Sequence, residues 1–314
     1  MRNAFLKILV AAFIMVSATA AEAAETAFAP LISADQLAEA RVTLDPLILD
    51  IRGDKAKDGY IPGAVSVDYA AFRGPTKSPG QLVSERNLTN LLQRLGVEAD
   101  RRTVIVYQGA DQTDFGAAAR VYWTLKSAGV SELAILNGGM NAWTKGATRP
   151  ISKTAATPTA SDIAVNFSDT WLATREDVLA VVNGDRAARL IDGRPADFYN
   201  GDTLHPAAAR PGTLPQSELF THSNWFKDGP AIIDATAAQQ LANENGFKKD
   251  DLLVSFCNTG HWAATNWFAL SELAGIENVK LYPESMVGWS QAELPMANTP
   301  GLFKAFWIKI KQAI

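Results

Sequence analysis

The chain has 314 residues, enough for two ordinary domains at roughly 100 to 200 residues each. Hydrophobic residues make up 47% of it and charged residues 20%, which excludes a disordered or fibrous polymer. The formal net charge of -4 offers no polycationic surface, so nucleic acid is not expected as a partner.

The N-terminus has the three-part plan of a secretory signal: Arg2 and Lys7, an apolar run from Ile8 to Val16, then small residues at Ala18-Thr19-Ala20 and Ala21-Glu22-Ala23. Residues 1–23 are expected to be removed, leaving a periplasmic or secreted protein. The apolar run is shorter than the roughly 20 residues that span a bilayer, so stable membrane insertion is not expected. Exported proteins often carry paired cysteines, yet Cys257 is alone and cannot form an internal disulfide. A lone cysteine is by default a small buried apolar residue, and only its context can change that reading.

Along the chain the same landmarks occur twice. Leu47-Ile48-Leu49-Asp50-Ile51-Arg52 reads as a buried strand ending in an Asp-x-Arg turn, and so does Arg189-Leu190-Ile191-Asp192-Gly193-Arg194, with the two aspartates 142 positions apart. Ile61-Pro62-Gly63-Ala64-Val65 is matched by Arg210-Pro211-Gly212-Thr213-Leu214. Thr103 to Tyr107 and Leu252 to Phe256 are β-rich runs, each followed by a polar loop and a helical stretch, about Gly116 to Ala128 and His261 to Ala274. Leu136 to Trp143 parallels Tyr282 to Trp289. The order predicts an α/β chain with domains at about 30–150 and 162–300, a Thr/Ser/Ala/Pro-rich linker at 151–161, and a C-terminal helix or tail at 301–314. In parallel sheets ligands sit beyond the carboxyl ends of the strands, which singles out the loops after Tyr107 and Phe256.

The second of these loops, Phe256-Cys257-Asn258-Thr259-Gly260-His261-Trp262-Ala263-Ala264, sets a cysteine directly after a strand and before a helix. Together with the Asp-x-Arg turns, the Pro-Gly turns and the Gly288-Trp289 pair, it resembles the active-site loop of the rhodanese family, and the likeness covers about 270 residues. The resemblance implies two tandem rhodanese-like domains, each a mainly parallel sheet flanked by helices, and a sulfurtransferase with Cys257 as nucleophile. Independently of it, backbone N–H groups from Asn258 through Thr259, Gly260, His261 and Trp262 to Ala263 at a helix start would cradle a thiolate, a persulfide or an oxyanion. The expected chemistry is two-step: the thiolate takes sulfur from a donor such as thiosulfate, and a thiol, cyanide or a protein acceptor removes it. Gln108 is taken as the counterpart of Cys257, which makes the first domain catalytically silent.

Asp192 and Arg194 are expected to brace this loop, while Arg210 could either face the anion or lie in solvent. His261 could bind substrate, tune the thiolate or point to solvent, and Trp262 would shape the rim or pack. The loop lacks the adjacent basic residues of thiosulfate-preferring relatives and is not the Gly-Ser type of mercaptopyruvate enzymes, so the donor stays open. A cysteine phosphatase would need arginine where Ala263 stands. A non-catalytic persulfide carrier is the main alternative. His205, His222 and His261 show no metal-ligand spacing, the nucleotide-binding Gly-x-x-x-x-Gly-Lys pattern is absent, and neither metal nor cofactor is expected.

Overall fold

A computed structural model describes residues 29–310, apart from 147, 302, 305, 306 and 309; the segment expected to act as a signal, 1–23, lies outside the described residues. The first domain runs β1 (Leu31–Ile32), α1 (Ala34–Thr43), β2 (Leu47–Asp50), β3 (Val65–Ser66), α2 (Glu85–Arg94), β4 (Thr103–Val106), α3 (Phe115–Ser127), β5 (Leu133–Leu136) and α4 (Gly139–Thr144). The second runs α5 (Arg175–Val182), β6 (Arg189–Asp192), α6 (Ala196–Tyr199), β7 (Glu218–Leu219), α7 (Ala235–Glu244), β8 (Leu253–Phe256), α8 (Trp262–Phe268), β9 (Val279–Leu281) and α9 (Ser285–Gln291).

Both sheets are parallel, in the orders β1-β5-β4-β2-β3 and β7-β6-β8-β9. In the second, Leu172 bridges Leu281 in parallel, where the first has β1 beside β5. The central strands β2 and β4 are buried along their whole length, as short, nearly all-apolar strands in a parallel sheet covered on both faces must be. The duplication is thus a duplication of topology. Among the described residues no helix is long and apolar enough to cross a membrane.

Strand register corrects one sequence match. Asp50 pairs with Val106 and Asp192 with Phe256. The next residue in each strand is Tyr107 or Cys257, and Met140 N–H bonds to the Tyr107 carbonyl as Met286 N–H bonds to that of Cys257. Tyr107, not Gln108, is therefore the counterpart of Cys257; Gln108 corresponds to Asn258. The apolar runs 103–107 and 252–256 are equal in length, but β4 begins at Thr103 and β8 only at Leu253, which shifts the true register by one residue.

α3 carries the sequence FGAAARVYWTLKS, apolar on every side through its first nine residues but for Arg120, and only Lys126 of its residues is not buried. A helix apolar all round belongs inside a protein, and α3 lies between the two domains, packed against α8. Phe115 makes edge contacts with Tyr107 of its own domain and with Phe226 and Phe268 of the other, at centroid distances of 5.6, 5.7 and 5.6 Å. One hydrophobic cluster thereby runs through both domains and fixes their orientation. Truncating one of its fully buried aromatics to alanine costs about 3–5 kcal/mol.

Residues 151–161 form neither helix nor strand beyond a Tyr60–Ser152 bridge, yet they are not free in solvent. Ala156 N–H bonds to the Ala64 carbonyl, Ser161 bonds to the carbonyls of Gln93 and Val97, and Ile163 is buried against the first domain. Near the C-terminus, Lys304 pairs with Asp202 of the second domain and Ile308 is buried, while Phe303 and Trp307 stay exposed.

Candidate active site

Cys257 follows β8 at the carboxyl edge of the sheet and opens onto a cleft of about 1030 Å³ between the domains. The second domain lines it with Cys257, Asn258, Thr259, His261, Trp262 and His205. Lys55, Lys57, Tyr69, Arg73 and Gln108 contribute from the first. That volume is at the top of the usual range for small-molecule sites and far exceeds a four-oxygen-sized anion.

The loop's backbone is held from two sides. On one, the Ser285 hydroxyl accepts the N–H groups of Cys257 and Gly260 at 3.0 and 3.2 Å and donates to the Tyr282 carbonyl at 2.8 Å. Ser285 itself adopts the left-handed conformation, φ 51°, at the start of α9. On the other, the Arg120 guanidinium donates to the carbonyls of Thr259 and Gly260 at 3.5 and 3.3 Å. A trans peptide points its N–H opposite to its C=O, so this clamp turns the His261 N–H away from Arg120. No protein acceptor meets the N–H groups of Asn258, Thr259, His261, Trp262 or Ala263 among the described residues. Those donors are what an anion at Cys257 would find. Gly260 has φ 68°, and a Cβ there would lie 2.3 Å from Arg120 Nη1 and 2.7 Å from the Pro283 carbonyl, so only glycine fits.

Asp192 and Arg194 are buried and form a bidentate pair, with Nη2–Oδ2 at 2.6 Å and Nε–Oδ1 at 2.9 Å. Arg194 also donates to the Gly212 carbonyl and, at 3.3 Å, to Asn258 Oδ1, while Thr213 donates to Asp192. The pair ties the Asp-x-Arg turn to both the Pro-Gly turn and the loop. Asp50 and Arg52 repeat it, with Arg52 reaching Gly59 and Gln108. Removing one partner of such a buried pair costs about 3–5 kcal/mol, because the other charge is stranded. Arg210 is not brought to the loop: it donates to the Leu294 carbonyl at 2.8 Å, away from the cleft.

His261 neither faces solvent nor lies free in the cleft. Its Nε2 is 2.8 Å from the Thr113 carbonyl, which can only accept, so Nε2 carries the proton. Nδ1 then accepts from the Tyr69 hydroxyl at 3.0 Å, and Tyr69 accepts from Arg73. Burial, with Arg73, Arg120 and His222 nearby, pushes its pKa down to about 3, so the ring is a neutral bolt between the domains. Gly116 leaves room for it, since a Cβ there would come within 2.9 Å of the ring. Trp262 stacks on His222 with centroids 4.9 Å apart and meets Phe198 edge-on, forming one wall of the cleft. Ala263 is fully buried, and its carbonyl accepts from Ser255.

Sequence reasoning missed Ser285, Arg120, Tyr69 and Arg73. Arg120 had a signal, being a charge in the middle of a helix that is apolar around it, with Lys126 coming only in the last turn. Ser285 had a weaker one, since it aligns with Gly139, whose φ is also left-handed at 62°. Tyr69 and Arg73 had none. Among the described residues no cluster of three or more His, Cys, Asp or Glu side chains could hold a metal ion.

Comparison with known proteins agrees with this architecture. The profile of the rhodanese-like domain matches residues 33–146 and again 174–292. A Synechococcus elongatus protein provisionally named a thiosulfate sulfurtransferase is 27% identical over 296 residues, covering 90% of this chain and 88% of its own. A Thermus thermophilus protein named a sulfur carrier is 27% identical over 241 residues, 74% of this chain and 82% of its own. The crystal structure of SseA from Escherichia coli, described as a 3-mercaptopyruvate sulfotransferase, superimposes with a TM-score of 0.70 at 23% identity, covering 82% of this chain and 98% of that one, a likeness of fold. With the domain profile matched twice on two parallel sheets of the same topology, the chain belongs to the rhodanese family.

Proposed function

We propose that this protein is an exported sulfurtransferase that moves sulfane sulfur through a persulfide on Cys257. One observation carries the reading: the chain's single cysteine is buried against a cleft it lines, in a loop that leaves five amide donors without a protein acceptor among the described residues. With thiosulfate as donor, the Cys257 thiolate attacks the outer sulfur, an S–S bond forms to Cys257, and the donor's S–S bond breaks with its electron pair leaving on sulfite. The persulfide carries one negative charge, which the free N–H groups offset. A thiol acceptor or cyanide then attacks the terminal sulfur, and the Cys257 thiolate departs as leaving group. No cofactor takes part in either step.

Tyr107 stands where the first domain would need its nucleophile. Its hydroxyl donates to the Pro230 carbonyl at 3.2 Å, and burial holds it well above the usual phenol range. The first domain serves instead as the second wall of the cleft. A persulfide-carrier reading has one observation in its favour, the Thermus thermophilus relative named a sulfur carrier. Export rests on the plan of residues 1–23 and is tested by sequencing the N-terminus of protein recovered from cell fractions.

The test of the main reading is incubation with thiosulfate, 3-mercaptopyruvate or glutathione persulfide, followed by intact-mass measurement. A gain of one sulfur on the wild type but not on Cys257→Ser, with parallel-line kinetics on adding cyanide, is expected. Persulfide that forms but does not turn over with cyanide or small thiols would favour the carrier. No sulfur gain from any donor would overturn both.

A further inference from the structure

Arg120 is the most unusual charge in the molecule. It is fully buried, 0% exposed, in a helix whose other residues are almost all apolar. Among the described residues it forms no salt bridge. Its donors go to three carbonyls, those of Thr259, Gly260 and Gly80, and its Nε–H has no acceptor. Trp123 lies under the guanidinium at 5.3 Å. A buried cation without a carboxylate is costly, because carbonyl dipoles replace only part of its hydration. Burial and Arg73 bring its pKa down to about 9, and the two groups that favour its charged form are Tyr69 and Cys257. Arg120 therefore stands as a fixed positive charge beside the loop with no anion of its own.

We propose that Arg120 is a positioning residue for sulfur transfer, contributed by the domain that lacks the nucleophile, and that the anion on Cys257 is its missing counter-charge. Holding the Gly260 carbonyl keeps the His261 amide turned away from Arg120 and toward the sulfur, holding that of Thr259 keeps the Gly260 amide on Ser285, and the guanidinium charge attracts an anion on Cys257. The inference deepens the sulfurtransferase reading and rests on it for the persulfide. The thiolate part stands apart from that reading. The other charged or titratable groups at the loop or in its cleft include Lys55, Lys57, Asp58, Tyr69 and Arg73 from the first domain and the Asp192–Arg194 pair, His205, His222 and His261 from the second. Burial pushes the pKa values of His205, His222 and His261 down, so the rings do not supply positive charge near neutral pH, and Arg194 is paired with Asp192; Arg120 and Arg73, with Lys55 and Lys57 in the cleft, remain as the positive charges.

The chain has one cysteine, so thiolate ultraviolet absorbance, taken against Cys257→Ser, reports a single group. The full chain is titrated as wild type, Arg120→Gln and Arg120→Lys, with circular dichroism as the check on folding. Loss of the charge in Arg120→Gln is expected to lower the thiolate fraction at a given pH about tenfold. Arg120→Lys, which keeps the charge but not the two-carbonyl fork, stays within about threefold of wild type in thiolate fraction yet loses about tenfold in kcat with little change in KM. Should Arg120→Gln fail to fold, the Lys variant decides by that split between thiolate fraction and kcat. A thiolate titration of folded Arg120→Gln that overlays the wild type, or a Lys variant with wild-type kcat, would overturn the proposal. If the wild type takes up no sulfur but the titration shifts as expected, the sulfurtransferase reading fails and the electrostatic role of Arg120 stands.

Discussion

The two domains build the same strand-loop-helix and finish it differently. After β8 the loop leaves five backbone donors without a protein acceptor among the described residues, around a cysteine. After β4 the corresponding loop satisfies its donors itself: Asp114 Oδ2 accepts from Gly109 N at 2.7 Å and Ala110 N at 3.1 Å, and Asp111 accepts from Asp114 N. The first loop carries its own anion, and the second waits for one. A site that binds anions can thus be silenced twice over, by a phenol in place of the thiol and by a carboxylate in place of the ligand.

The sharpest way to break this comparison is to move the nucleophile. Cys257→Ser is expected to lower sulfur transfer about a thousandfold or more in steady-state assays. Adding Tyr107→Cys to that variant should restore nothing, because Asp114 already occupies the amides of the first loop; sulfur found on residue 107 by peptide mass mapping would show that the cradle is not the deciding feature.

Next in size is the second loop's inner clamp. Ser285→Ala leaves two buried N–H groups, those of Cys257 and Gly260, without an acceptor, at about 1–3 kcal/mol each. A fall in kcat of about 10- to 100-fold is expected, together with a lower Tm.

A third test concerns pH. His261 has a folded pKa near 3 against an ordinary 6.5, so the unfolded chain takes up a proton that the folded chain refuses. The stability it contributes is full above about 6.5 and is lost as pH falls from there toward 3. His261→Gln should flatten part of the decline of Tm across that window, as followed by thermal melts at several pH values. The smallest effect is expected for Asp114→Asn, which weakens the capping of Gly109 and Ala110 by about 1 kcal/mol, read by denaturant titration.

Much of this was legible in the chain itself. Short apolar runs ending in Asp-x-Arg mark the carboxyl ends of β2 and β6, and the cysteine directly after β8 marks the loop. What was not legible came from three physical causes. An apolar run does not show at which residue its strand begins, and because β8 starts at Leu253 and not at Leu252, Gln108 falls where Tyr107 stands. A left-handed backbone at a serine shows only through its glycine counterpart, Gly139, in the other domain, which concealed Ser285. Contacts between distant segments leave none either: Arg120 and Tyr69 meet Gly260 and His261 only once the domains have closed on each other. Arg210 shows the converse, a plausible anion ligand by position that the fold spends on the Leu294 carbonyl.

The segment after residue 150 is laid along the first domain and held there by the Ser161 and Ala156 bonds, so the chain enters the second domain from a fixed point rather than from a loose tether. Such an arrangement raises the effective concentration of one half for the other well above what two separate chains would reach. Two unlinked halves, each folded, would meet as an ordinary encounter complex that had to bury α3 anew and find Arg120's place over the loop. Fusion makes that encounter permanent, and the domain without a cysteine behaves as a built-in subunit.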